Sequence, residues 1–171
     1  IILLTYLIIY APKFDYIQGR ILSFFDRETG THNFQSDKAI DSITSGGFFG
    51  KGIGEGTLKN RVPEAHTDYI ISVISEEFGV VSIMLILLLF LIFIYMVFKK
   101  ISFETDDKIK LILIGSISLI LMQATIHIGV NIRLFPTTGM TLPFLSYGGS
   151  SIISTSILAG IILNLTKRKI N

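Results

Sequence analysis

From Phe78 to Phe98 the chain carries no charged side chain, and only Gly79 and Ser82 interrupt its large apolar residues. An uncharged run of about 18 residues or more reads as a helix crossing a bilayer, because hydrocarbon leaves no water to satisfy any other backbone. Leu111–Ile132 is a second such run. Tyr147–Leu165 is a third, rich in Gly and Ser and so suited to close helix packing. Composition agrees: 50% of the residues are hydrophobic and 16% charged, against about 25% charged in a soluble domain. The formal net charge of +2 lacks the basic excess that a nucleic-acid partner would call for. The absence of Cys excludes disulfides, Cys-ligated zinc, iron–sulfur clusters and thiol catalysis.

These runs predict an all-α fold, a polytopic membrane helix bundle with a large extracytoplasmic loop. The apolar stretch Ile1–Tyr10 is about half of what a spanning helix needs. With neither a basic n-region nor a small-x-small cleavage site, it is expected to be a partial span rather than a signal peptide. The chain therefore reads as a C-terminal fragment, a single membrane domain over 1–171. Its expected segments are a partial span at 1–11, an extracytoplasmic loop at 12–68 and a span at 69–98. A cytoplasmic loop at 99–110 leads to a span at 111–132, an extracytoplasmic loop at 133–146, a span at 147–166 and a cytoplasmic tail at 167–171. Orientation follows from the dense short basic segments, Lys99, Lys100, Lys108 and Lys110 in one and Lys167, Arg168 and Lys169 in the other. Basic residues in the long loop are diluted and balanced by acids.

Polar chemistry concentrates in the two extracytoplasmic stretches. Between Gly46 and Gly56 lie six glycines, with Lys51 among them. A phosphate-binding G-x-x-x-x-G-K-[ST] loop would need Gly46 and Gly50 one residue further apart and a hydroxyl after Lys51, so that motif is absent. Two readings stay open: a compact loop using positive φ, or a backbone-rich surface approached by a polar ligand. Downstream, Asp68 stands at the mouth of the first full span, as a helix N-cap or as a functional acid. Asp68, Ser72, Ser75 and Glu76 share one helical face. Glu76 and Glu77, two turns into an apolar helix, must face protein or water and mark a site by default. Gln123, His127 and Asn131 recur at i, i+4, i+8, a stripe expected to make interhelical hydrogen bonds. The Pro- and Gly-rich stretch Phe135–Ser151 cannot be one regular helix and is expected to line a cavity or groove.

Five segments in order resemble the SEDS family (shape, elongation, division and sporulation) of bacterial cell-wall proteins: Arg20–Asp26, Ser45–Gly54, Pro63–Tyr69, Glu76–Gly79 and Pro136–Ser151. Pro-Glu-Ala-His-Thr-Asp and Thr-Gly-Met-Thr-Leu-Pro are more similar to its division-type than to its elongation-type members. The resemblance implies a multi-pass protein of the bacterial plasma membrane, with an extracytoplasmic active site that polymerises lipid II into glycan strands. It implies as partners a class B penicillin-binding transpeptidase and other divisome proteins. The acid of the His-Thr-Asp motif, here Asp68, is then the catalytic base. Arg20, Lys51, Lys59 and Arg61 become candidates for the lipid-linked diphosphate, and Glu76, Glu77, Ser146, Gly148 and Gly149 for other substrate contacts. A divalent cation such as Mg2+ or Mn2+ could share the phosphate work, although no metal-ligand spacing is present. Three positions depart from the family pattern: His127 stands where Asn is frequent, Arg133 where Gly is common, and Lys59–Pro63 is one residue short. The competing functions are a lipid II flippase using Glu76 and Glu77 in a groove, and a non-enzymatic division scaffold.

Overall fold

The computed structural model describes Gly19, residues 31–62 and residues 64–167, with the side chains of residues 31–34 and Lys59 outside that description. The expected partial span at 1–11, Arg20 and the basic residues Arg168 and Lys169 lie outside the described residues. The described residues form five helices and no strand: α1 (Thr31–Gly46), α2 (Leu58–Arg61), α3 (Ile70–Phe103), α4 (Asp107–Asn131) and α5 (Gly149–Lys167). Helices α3, α4 and α5 are each long and apolar enough to cross a membrane.

The helices outrun the apolar stretches. Helix α3 continues through Lys99 and Lys100 to Phe103, and α4 begins at Asp107, so the connection between them shrinks to Glu104–Asp106. Asp106 caps α4 by accepting from the Lys108 amide at 2.9 Å. At the other end of α4, Leu134 N–H donates to the Gly129 carbonyl (2.7 Å) and Arg133 N–H to Val130 (3.1 Å). That pair of bonds is a Schellman motif, which places Arg133 in the left-handed region at φ 61°. A glycine fits such a position without strain; here Arg133 instead pairs with Asp37 of α1.

Between residues 12 and 68, where a loop is expected, the 16-residue helix α1 appears. It ends where Gly47 turns left-handed at φ 58°. It packs closely on the start of α3: a methyl on Gly46 would overlap the Ser75 carbonyl. Ala39, Leu58, Val62, Ala65, Tyr69, Val73 and Val130 form one small core that ties α1, α2 and the start of α3 to the end of α4. A separate core of Val97, Leu113, Ile117, Ile120 and Ile162 holds the three long helices together nearer their basic ends.

Helix α3 is broken at Gly79, whose backbone is at φ 79°, ψ 179°. The glycine loop fills the break. Lys51 N–H donates to the Glu76 carbonyl (2.8 Å) and Gly52 N–H to Glu77 (3.0 Å), while Val80 and Val81 donate to the Gly47 (2.9 Å) and Phe48 (3.4 Å) carbonyls. Methyl groups on Gly50 or Gly79 would overlap the facing backbone, at Glu77 and Phe48 respectively. The glycines thus serve close backbone approach as well as turns.

The start of α3 is capped from another helix. Asn131 Oδ1 accepts from Ser72 N–H (3.2 Å) and Ser72 Oγ (2.8 Å), and its Nδ2 donates to the Asp68 and His127 carbonyls (both 2.9 Å). Gly79→Ala should therefore cost about 2 kcal/mol or more, from forbidden φ together with the lost loop contact. Gly115→Ala, which meets open space, should stay within about 0.5 kcal/mol; thermal unfolding in detergent compares the two. In the same assay Asn131→Leu should cost about 1–3 kcal/mol for each buried group it strands, the Ser72 amide and the Asp68 carbonyl.

Candidate active site

The turn 64–69 carries His66, Thr67 and Asp68, and two elements, the segment before α5 and the end of α4, grip it by three successive carbonyls. His66 accepts from Tyr147 N–H (3.1 Å), Thr67 from Ser146 Oγ (2.8 Å) and Asp68 from Asn131 Nδ2 (2.9 Å). The Asp68 amide is bonded to the Glu64 carbonyl at 3.0 Å. Asp68 is not the cap of α3, because the cap position falls on Tyr69 and Asn131 serves the first-turn amide of Ser72. With its main chain held on both sides, Asp68 is 9% exposed. Its carboxylate faces Gly139, where a methyl group would come to 3.9 Å from Oδ2, ordinary contact. Gly139 sits at φ 70°, so the glycine there serves the turn.

Gly139 also lines a cleft of about 340 Å³, together with Gln123, Thr141, Gly148 and Ser151. Gln123 Nε2 donates to the Thr141 carbonyl and to Ser151 Oγ (both 2.9 Å), and Thr141 Oγ1 donates to Ser151 Oγ (2.6 Å). These bonded groups form a polar stripe in a cleft whose exposed lining is otherwise mainly apolar. His127 hydrogen-bonds through Nδ1 to the Met140 carbonyl (2.8 Å) and is fully buried. The stripe Gln123, His127 and Asn131 thus bonds to the 139–151 segment and to α3, the interhelical use expected of it. Ser146, placed among the substrate contacts by the sequence, is 3% exposed and has both roles of its hydroxyl engaged, donating to Thr67 and accepting from Leu142 N–H (2.8 Å). It braces the turn from behind. Gly148 lines the cleft, whereas Gly149 opens α5 in open space.

The cations gather elsewhere. Lys51 and Arg61 share a second, polar cleft of about 250 Å³ with Lys38, Ser45 and Thr57. Asp68 does not line it. Lys38, whose position on α1 the loop reading hid, pairs with Asp41 at 3.3 Å. Glu76, also expected to contact substrate, is 1% exposed and enclosed by this chain's own donors: Lys51 Nζ (2.8 Å), Thr57 Oγ1 (3.1 Å) and Leu58 N–H (3.0 Å). It caps α2 and holds the glycine loop against α3. Glu77 is half-buried and gives its carbonyl to Gly52. The proposed contacts of Arg20 and Lys59 fall outside the described residues and side chains. Among the described residues no group of three His, Asp or Glu is placed to hold a metal ion.

Comparison with known proteins bears on this geometry. The model of the FtsW/RodA/SpoVE family, described as cell cycle protein, matches residues 1–171. A probable peptidoglycan glycosyltransferase FtsW from Caulobacter vibrioides is 37% identical over 157 residues, which cover 91% of this chain and 40% of that protein. Proteins of the same name from Enterococcus hirae and Francisella salina are 34% and 39% identical, covering 99% and 96% of this chain and 45% and 42% of theirs. The chain thus spans less than half the length of these relatives. Among solved structures, one described as "Structural coordination of polymerization and crosslinking by a peptidoglycan synthase complex" aligns with a TM-score of 0.68 at 29% identity, over 92% of this chain and 42% of that one. The all-helical fold, the three membrane-length helices and the family match over the entire sequence agree, and the chain belongs to the FtsW/RodA/SpoVE family of cell cycle proteins.

Proposed function

We propose that this chain is the catalytic-turn portion of a peptidoglycan glycosyltransferase that polymerises lipid II into glycan strands during cell division, with Asp68 as its general base. The observation that carries the reading is the carbonyl grip on His66, Thr67 and Asp68. It fixes the main chain of one acid and leaves its carboxylate at Gly139, on the edge of a hydroxyl-lined cleft.

Chain growth forms a bond between a sugar hydroxyl oxygen and an anomeric carbon, and breaks the bond from that carbon to a lipid-linked diphosphate. The hydroxyl proton passes to Asp68 as the oxygen attacks, and the diphosphate departs as an anion. Gln123, Thr141 and Ser151 offer the polar wall against which a sugar is oriented. Lys51 and Arg61, in the second cleft, are the described candidates for the diphosphate. Their side of the membrane is extracytoplasmic in this reading, since Lys99, Lys100, Lys108 and Lys110 cluster at the opposite ends of α3 and α4. A class B penicillin-binding transpeptidase is the partner we infer, in keeping with the similarity to a synthase complex of polymerization and crosslinking. Of the two acids on which the flippase reading relies, Glu76 and Glu77, the first is occupied by Lys51, Thr57 and Leu58.

Asp68→Asn keeps the side chain's size and removes its proton affinity. In the full-length protein with its transpeptidase partner, this change should lower glycan-strand formation from lipid II by about 10² to 10⁴-fold, with membrane level and partner binding unchanged. Near-normal polymerisation by the variant would eliminate Asp68 as the base. No polymerisation by the parent complex would leave the scaffold as the better account.

A further inference from the structure

The glycine loop exposes Phe48 at 76%, Phe49 at 86% and Ile53 at 80%, a density of bare apolar surface that a water-facing loop does not sustain without an occupant. Its depth follows from its bonds. Counting back from Lys99 at 1.5 Å per residue, a hydrocarbon core about 30 Å thick ends about 20 residues away, close to Gly79. The loop is joined to α3 at that level: Gly47 and Phe48 accept from Val80 and Val81, and Lys51 and Gly52 donate to Glu76 and Glu77.

Irregular backbone survives at such depth only when its polar groups are satisfied within the protein. On the side of the loop that meets α3, the Lys51 and Gly52 amides and the Gly47 and Phe48 carbonyls are so satisfied, and Gly50 N–H is bonded to the Gly46 carbonyl at 2.8 Å. The one charged side chain between Phe49 and Ile53, Lys51, turns to Glu76 at 2.8 Å. The apolar side chains continue the exposed surface of α3, where Val81 (54%), Met84 (62%), Leu85 (57%) and Leu88 (51%) face outward. That surface belongs to a helix long and apolar enough to span a bilayer, and an outward apolar face on such a helix suits lipid.

We infer that the loop 46–54 is immersed in the membrane leaflet on its own side, with Phe48, Phe49 and Ile53 against lipid acyl chains. The loop then anchors α1, α2 and the Asp68 turn at headgroup depth, through the Lys51–Glu76 link and the small core around Tyr69. This inference rests on the spanning of α3 and not on glycosyl transfer, so it stands or falls separately from the role of Asp68.

The chain contains no Trp, so Phe48→Trp, Phe49→Trp and Ile53→Trp each add one emitter, read as a difference against the parent. The full-length protein is placed in nanodiscs of phosphatidylcholine and phosphatidylglycerol, with ordinary or brominated acyl chains. The expected result is loss of most of the added emission in brominated lipid, a blue-shifted maximum and little quenching by aqueous iodide. Emission quenched by iodide and not by bromine would place the loop in water and overturn the inference. Emission quenched by neither would show another protein segment covering it, and would equally overturn it. Should a variant fail to accumulate, hydroxyl-radical footprinting of the unsubstituted protein in the same nanodiscs reads Phe48 and Phe49 directly. They should stay unmodified, and rapid oxidation would refute immersion.

Discussion

The break in α3 at Gly79 is the constraint on which the half of the structure around the Asp68 turn depends. Interrupting a membrane helix frees carbonyls on one side and amides on the other, and each is costly where water is scarce. The glycine loop supplies partners for both, through Lys51 and Gly52 to Glu76 and Glu77, and through Gly47 and Phe48 to Val80 and Val81. Only backbones lacking side chains can come this close, which explains glycine at 46, 50 and 79, where a Cβ would overlap the opposing main chain. Glu76 then extends the join sideways, since its carboxylate holds Lys51 of the loop and the first amide of α2 together. One short segment of α3 thereby fixes the loop, α1 and α2.

From that platform the Asp68 turn is held by its carbonyls rather than by its side chains. Asn131 is central, because one amide group joins the ends of α3 and α4 and touches the Asp68 main chain. Holding Asp68 through its own carbonyl and amide fixes the position of its main chain without drawing on its side chain. The Schellman end of α4 and the Arg133–Asp37 pair then carry the chain from Asn131 across to α1, so the same helix end serves cap and tether.

Much of the membrane architecture was legible in the sequence, because an unbroken apolar run such as Phe78–Phe98 permits little else. The helix ends were not, since Lys99 and Lys100 are good helix formers that polarity alone assigns to a loop. Helix α1 was hidden for a related reason: its inward face is Ala39, Ser42 and Gly46, small residues that carry no apolar periodicity. The spacing of those three at i, i+3 and i+7, with Gly46-Gly47 as a stop, was the available signal. At the site, the sequence singled out Asp68 and required Glu76 to face protein or water, yet its partner Lys51 lies 25 residues away and pairwise contact is not encoded locally. In the 139–151 segment the sequence does not say which small residue lines the cleft, as Gly148 does, and which braces the turn, as the Ser146 hydroxyl does.

Amide hydrogen exchange of the intact protein in a bilayer tests the join at Gly79 most directly. The amides of Lys51, Gly52 and Val80 should exchange as slowly as those in the body of α4, although two of the three belong to a loop rich in glycine. Exchange of the 46–52 segment at the rate of an open loop, with α3 and α4 still protected, would contradict the account.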